Sequence, residues 1–420
     1  MNLPIPAPRP TRAALQEAAP PARAPLYAAT VPADEVAKGR AHLGAMRIDE
    51  AVACFKAALR LDPEAIGAHL GLYEALQVRG DRRGALEHQG RALARQRLFR
   101  EKTAAPGAPT VLMLSIPGDW QANTPLEFLY GQMPFGVMKL YTSPQLPEPR
   151  MLPAADVVFN AVAHSEAAEL TLAALARWLP ALHLPVINDP ARVARLSRHQ
   201  VARDFATMRG ALVPAVHRVS RTALREDRLV LDACPATPAL IRPVDSQAGN
   251  DLCRLERPAD LDDYLAGVDA SAFFIAPFID YRSADGLYRK YRVIFVAGVP
   301  YPYHLAISDK WMVHYYNARN GDDAAIRSEE ERWLADISFA FDDSRGEVLS
   351  DIARRVDLDY FGIDCGILPD GRVVLFEIDV AMLVHNGDPA DTYAYKHAYV
   401  SRIYRAVERM IEARARAGRR

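Results

Sequence analysis

Residues 361–386 read FGIDCGILPDGRVVLFEIDVAMLVHN. Two apolar, β-branched runs flank Pro369-Asp370-Gly371: proline presets φ for a tight reversal and glycine accepts the positive φ that follows. The spacing predicts an antiparallel hairpin with Asp364 in its first strand and Glu377 and Asp379 closing its second. Strand alternation puts Glu377 and Asp379 on one face, and the returning strand brings Asp364 opposite them. A carboxylate in an apolar strand needs a partner to offset its desolvation. Three of them converging repel one another unless a cation lies between. Hard oxygen ligands with room for water and phosphate are what magnesium prefers. The competing arrangement has arginines pairing with the acids, or the acids merely flanking the sheet.

At 420 residues the chain is long enough for two to four folding units. Lys and Arg number 51 against 52 Asp and Glu, a formal charge of -1 that gives no electrostatic case for nucleic acid or a membrane surface as partner. No apolar run approaches the roughly 20 residues of a membrane span. Residues 1–34 read as a flexible leader rich in Pro and Ala, its prolines interrupting any secretory signal. Cys54, Cys234, Cys253 and Cys365 are scattered without a CxxC pair, which fits reduced thiols in the cytoplasm. Cys365 reads as a small buried strand residue rather than a nucleophile.

Between residues 35 and 105 the chain repeats itself at a fixed offset. Gly39, Ala51, Phe55, Ala58 and Pro63 have the spacing of a 34-residue helix-turn-helix unit, and Ala85 and Ala92 repeat Ala51 and Ala58. This segment resembles tetratricopeptide repeats over two units at most, with Gln89 where an aromatic is expected. It reads either as a helical cap or as a surface for a protein or peptide partner, and a homodimer through it stays open. From 108 to 195 strands and helices alternate, implying a mostly parallel sheet. Within that pattern VINDPARVARLSRHQVARDFA suggests a short strand, then one amphipathic helix. Residues 196–420 present short strands, a long hairpin reversing at Gly298, the acidic hairpin, and a basic C-terminal helix whose Lys and Arg complement its dipole.

Further candidates surround the acids. In ALIRPVDSQAGND an apolar strand delivers Arg242 into a small-residue loop with Ser246, Ala248 and Gly249, where backbone N–H groups suit a triphosphate. FFIAPFIDY, with Ala276 and Phe278, is a buried strand whose backbone would read an adenine edge, and Asp280 would reach a ribose. Arg292, His304, Lys310 and His314 follow in the long hairpin and its sequel; Lys310 suits a phosphate, and the histidines an acceptor pocket. His385 and Asn386 lie just past the acids.

Together these pieces resemble the ATP-grasp superfamily, and within it ligases similar to RimK and to D-alanine–D-alanine ligase, over roughly residues 108–410. The 13-then-2 spacing of Asp364, Glu377 and Asp379 is the most specific part. The resemblance implies an α/β (α+β ATP-grasp) fold behind a small all-α N-terminal helical domain. It further implies that these three acids ligate Mg2+ and that Arg198, Arg242, Ser246, Gly249, Ala276, Phe278 and Asp280 bind ATP. Arg292, Lys310 and His304 would serve catalysis. Asp379 stands where the family usually has Asn, and Arg242 and Arg198 where it commonly has Lys; Arg holds phosphate bidentately, with a different geometry. The implied reaction joins a small-molecule carboxylate to an amine or peptide through an acylphosphate, releasing ADP and phosphate. Two alternatives remain: a phosphotransferase using the same site, and a scaffold acting through the helical repeats.

Overall fold

The computed structural model describes residues 31–418 apart from 132, 148, 227–237, 245, 247–248, 315–317 and 322. Residues 1–30 of the expected leader, Cys234, and Ala248 of the expected phosphate loop lie outside that set. The described chain divides into two compact units, one of residues 31–194, 358–360 and 380–418, the other of 195–357 and 361–379.

The first unit opens with four helices of 14 residues: α1 Val31–Gly44, α2 Ile48–Leu61, α3 Ile66–Arg79 and α4 Arg82–Arg95. The 34-residue offset is visible in the packing, since Ala51, Ala58, Ala85 and Ala92 are all fully buried. Phe55 fills the centre of the group. A Cβ at Gly39 or Gly71 would fall 2.5 or 2.3 Å from its ring, so both positions exclude any side chain. Gly80 ends α3 in the left-handed region, and Asp81 caps α4 by accepting from the Gly84 N–H at 2.9 Å. Gln89, at the expected aromatic position, is buried and accepts from the Gly118 N–H at 2.9 Å.

A five-stranded sheet follows, built from β1 Leu98–Lys102, β2 Thr110–Ser115, β3 Gly136–Tyr141, β4 Val157–Asn160 and β5 Val186–Ile187 in the order β1-β3-β2-β4-β5. All its pairings are parallel except that of β1, an antiparallel edge formed within the stretch that reads as helical. The inner strands β2 and β4 are buried almost throughout, as parallel strands covered on both faces require. The short α5 Glu127–Tyr130 and α6 Glu169–Trp178 belong to this unit, and the long α13 Ala390–Ala417 packs on α5, β4 and β5. The single helix expected over 191–206 is instead two. α7 Pro190–Val193 is capped by Asp189 and α8 Arg198–Asp204 by Ser197, whose hydroxyl accepts from the Gln200 N–H. That serine satisfies a fresh helix N-terminus, which is cheaper than threading it through a helix interior.

The second unit contains two sheets. Four antiparallel strands, β7 His217–Ser220, β8 Ala239–Pro243, β9 Cys253–Leu255 and β10 Ala272–Pro277, take the order β7-β10-β8-β9. α9 Arg221–Glu226 and α10 Asp260–Gly267 close their core around Ile241, Tyr264 and Phe273. The other sheet runs β12-β11-β13-β14-β6, from β6 Ala211–Leu212, β11 Tyr288–Val296, β12 Val299–Ser308, β13 Tyr360–Ile367 and β14 Val373–Asp379. Ala297 and Gly298 both take positive φ at the β11–β12 reversal, the geometry a two-residue hairpin turn demands. α11 Ala324–Ala335 and α12 Asp343–Val356 complete the unit, with Trp333 buried against the Tyr291 ring at 5.3 Å. Among the described residues no helix is long and apolar enough to cross a membrane.

Candidate functional site

The acidic hairpin forms, with a one-residue irregularity that brings Asp364 to the face of the other two acids. Asp364 lies opposite Glu377 and Gly362 opposite Asp379, with the pairing slipping by one residue after Asp364. Opposed residues of an antiparallel pair share a face, so the three carboxylates stand on one side of the sheet.

The partners of Asp364 and Glu377 are cationic side chains. Asp364 Oδ1 accepts from Arg292 Nε at 2.7 Å, and Oδ2 accepts from Arg292 Nη2 at 2.9 Å and Lys290 Nζ at 3.0 Å. Lys290 and Arg292 are two apart on β11 and so share a face. The Asp364 side chain is only 5% exposed. Burial would push its carboxyl up, but the Arg292 and Lys290 charges hold it well below the usual range. Burial likewise works against the Arg292 charge, and Asp364 raises its pKa in spite of it. Glu377 Oε1 accepts from Arg198 Nη2, at the first residue of α8.

The arginine-paired arrangement is therefore the one this structure displays. Among the described residues no three His, Cys, Asp or Glu side chains gather closely enough to hold a metal ion. By donor type the trio still fits a hard divalent cation. Glu377 and Asp379 offer carboxylates at i and i+2, with Glu377 already accepting from Arg198, and Asp364 would have to share oxygens engaged by Arg292 and Lys290.

A second cationic group comes from the other sheet. Arg242 leaves β8 and binds Ser246, Nε donating to the hydroxyl at 3.0 Å and Nη2 to the carbonyl. Its pKa is pushed down to about 9 by burial and by the like charge of Arg198, with Glu377 opposing, so the guanidinium stays charged at neutral pH. Arg198, Arg242 and Glu377 thus share one field. Gly249 has φ +72, and a Cβ there would meet His314 at 3.6 Å and Met312 at 3.7 Å; the conformation, not crowding, calls for glycine. His304 sits opposite Arg292 in the β11–β12 register and is buried.

The adenine-side candidates are placed less uniformly. Ala276 of β10 pairs with Leu240 of β8 and is half-buried. The Phe278 N–H donates to the Pro238 carbonyl at 2.9 Å, and the ring lies under the Arg254 guanidinium at 4.0 Å and edge-on to Trp311 at 5.8 Å. The Asp280 side chain is 43% exposed and binds Arg282, whose Nε donates to both its oxygens at 3.0 Å. That pairing competes with a ribose. Lys310 is exposed in the turn after β12, its N–H donating to the Ser308 hydroxyl at 3.1 Å.

Two residues went unnoticed in the sequence. Lys290 could have been found by applying strand alternation to Arg292 in YRKYR. His199 follows Arg198 and stacks on Phe274 with centroids 6.4 Å apart; its buried Nδ1 has no hydrogen-bond partner among the described residues. Nothing local in the sequence marks it, because Phe274 is 75 positions away. Cys365 is buried with its thiol pushed up by desolvation and then by Asp364, which leaves it unreactive. His385 belongs to the first unit, where its Nδ1 accepts from the Gly387 N–H at 3.2 Å and burial lowers its pKa.

No protein-family model and no curated protein matches this chain. Among solved structures it is similar to the VanG D-Ala:D-Ser ligase from Enterococcus faecalis, at 13% identity over 73% of this chain and 99% of that one, TM-score 0.46. It is also similar to D-alanine–D-alanine ligase from Bacillus anthracis complexed with ATP, at 12% identity over 74% and 99%, TM-score 0.44. A third similarity is to the Coxiella burnetii D-alanine–D-alanine ligase, at 13% identity over 62% and 71%, TM-score 0.38. Overlap of that size transfers neither reaction nor substrate to this chain.

Proposed function

We propose that this chain is an ATP-dependent ligase of the ATP-grasp kind, joining a carboxylic acid to an amine or related nucleophile with release of ADP and phosphate. One observation carries the reading. Arg198 and Arg242, reaching in from α8 and β8, share their field with Glu377 at the end of β14, beside Asp379. Alternating fixed cations and carboxylates are what a metal-bound polyphosphate needs, since its own charges alternate the same way.

In this reading Arg242 and the Ser246–Gly249 loop receive the phosphates, and Arg198 turns from Glu377 to the γ-phosphate. Glu377 and Asp379, with Asp364, are the residues that would hold magnesium, whose chemistry is to neutralise phosphate charge. Ala276 and Phe278 would border the base. Arg292, fixed in orientation by Asp364, and Lys290 would hold the substrate carboxylate, with His304 behind them and Lys310 reaching in from its turn. A carboxylate oxygen attacks the γ-phosphorus, the bond to the β,γ-bridging oxygen breaks, and ADP leaves. The amine nitrogen then attacks the acyl carbon, the carbon–oxygen bond to phosphate breaks, and the nitrogen's extra proton passes to solvent. Positioning and electrostatics supply the rate, with no protein nucleophile. The four-helix segment would act as a tetratricopeptide-like appendage presenting a surface to a protein or peptide partner.

The test is a screen of paired amino and carboxylic acids for release of ADP and phosphate, with mass analysis of the product. A ligase frees both only when both substrates are present. Phosphate retained on a product would replace this reading with a phosphotransferase. Failure of ATP with magnesium to raise the melting temperature would favour a scaffold.

A further inference from the structure

One feature this reading leaves unused is an open pocket in the first unit. The helical segment supplies one wall, with Tyr73 from α3, and the sheet and its connections supply the other, with Trp120, Phe128 and Tyr141. Two ion pairs line it, and a third lining carboxylate, Asp119, pairs with Arg82 at 3.0 Å. Arg40 donates to Glu74 at 2.5 Å and Lys139 to Glu127 at 2.5 Å, every one of these side chains at most 16% exposed. The Lys139 ammonium also sits 5.1 Å from the Tyr141 ring centre.

Two observations point to a ligand. Trp120 stands on a three-residue turn at 37% exposure, one of few large apolar side chains left open among the described residues. Thr124 lines the same pocket at 1% exposure, and its hydroxyl has no hydrogen-bond partner among the described residues. A buried hydroxyl left this way costs free energy that a ligand's polar group would recover.

The charges select the ligand's class. Each ion pair is neutral overall, so a ligand with one charge would bring an uncompensated charge into a desolvated site. A ligand carrying adjacent ammonium and carboxylate groups sets the first towards Glu74 or Glu127 and the second towards Arg40 or Lys139, and the site stays neutral. The aromatic walls then take an apolar side chain and could stack with a ring. We infer that this pocket binds a free α-amino acid with an aromatic or long apolar side chain. The inference is independent of the ligase reading, whose residues lie in the other unit.

Titration calorimetry on the full chain tests it, with L-phenylalanine, phenethylamine and 3-phenylpropanoate as probes sharing one ring. L-Phenylalanine should bind about tenfold more tightly than either singly charged analogue, and Trp120→Ala or Thr124→Val should each weaken it by about tenfold. Trp120 is partly exposed, so its variant should melt as the wild type does, separating lost binding from lost fold. Equal affinity for the three probes, no binding by any at millimolar concentration, or an unchanged Trp120→Ala variant overturns the inference. Binding that survives Trp120→Ala but is lost in Glu377→Gln would move the amino acid to the other unit, and overturns it equally.

Discussion

Replacing Arg292 by Met removes both guanidinium bonds to Asp364, of 2.7 and 2.9 Å, and leaves the Lys290 ammonium at 3.0 Å beside that carboxylate. Breaking a buried pair by deleting one member costs about 3–5 kcal/mol, because the survivor is left uncompensated. Protonation sets a ceiling. Giving Asp364 a proton at pH 7 costs about 4 kcal/mol, at 1.36 kcal/mol for each pH unit above an ordinary aspartate value near 3.9. Lys290 softens the loss, so the deficit at pH 7 should be about 2–4 kcal/mol. In the wild type the folded pKa is depressed, so this carboxylate's stabilisation is fully present above about pH 4 and lost only as pH falls through the folded value. In the variant the pKa rises instead, and at pH 5 the same ceiling drops to about 1.5 kcal/mol. Urea unfolding at both pH values, followed by fluorescence from Trp311 and Trp333 in the same unit, measures the deficit as a shift of midpoint at constant slope. A deficit under about 1 kcal/mol at pH 7, or one as large at pH 5, would refute the view that Asp364 is a buried anion held by Arg292.

The other expectations concern the site and the helical segment. Glu377→Gln should lower ADP release about a hundredfold or more with an unchanged circular dichroism spectrum, since volume is kept while a carboxylate is lost; wild-type turnover would exclude Glu377 from the reaction. Arg242→Ala should weaken ATP binding by roughly 10- to 100-fold, the worth of one charged hydrogen-bond donor, and an unaltered dissociation constant would place the phosphates elsewhere. Gly71→Ala drives a methyl to 2.3 Å from the Phe55 ring and should cost about 1–3 kcal/mol in thermal or urea unfolding. Adding Phe55→Leu should return part of that loss, and no rescue would mean the ring is not what excludes the methyl.

Much of this was legible locally. The Pro369-Asp370-Gly371 turn sets Ile367 opposite Val373 and Cys365 opposite Leu375, but Asp364 meets Glu377 only through the one-residue slip beyond them, which the spacing does not reveal. The 34-residue offset fixes that Ala51, Ala58, Ala85 and Ala92 face inward. Short-range pattern suffices where the period of a helix or strand dictates the face. The pattern said less about Gln89, whose reward for breaking the aromatic rule is a bond to Gly118, and about Ser197, which caps a new helix where periodicity continued an old one.

What the sequence alone determined is the set of faces: Glu377 and Asp379 together on one side of a β-ribbon, small residues between helices, strands alternating with helices; the slip that adds Asp364 to that side is seen only in the structure. Only the tertiary structure decided the neighbours. Sheet order sets β11 beside β13 and so gives Asp364 two cations from more than 70 residues away. Within the first unit the C-terminal helix packs on β4 and β5, strands more than 200 residues before it in the chain. Periodicity carries no information about which strand lies next to which, because that choice is made by burial of whole faces and pairing of buried charge across distant segments.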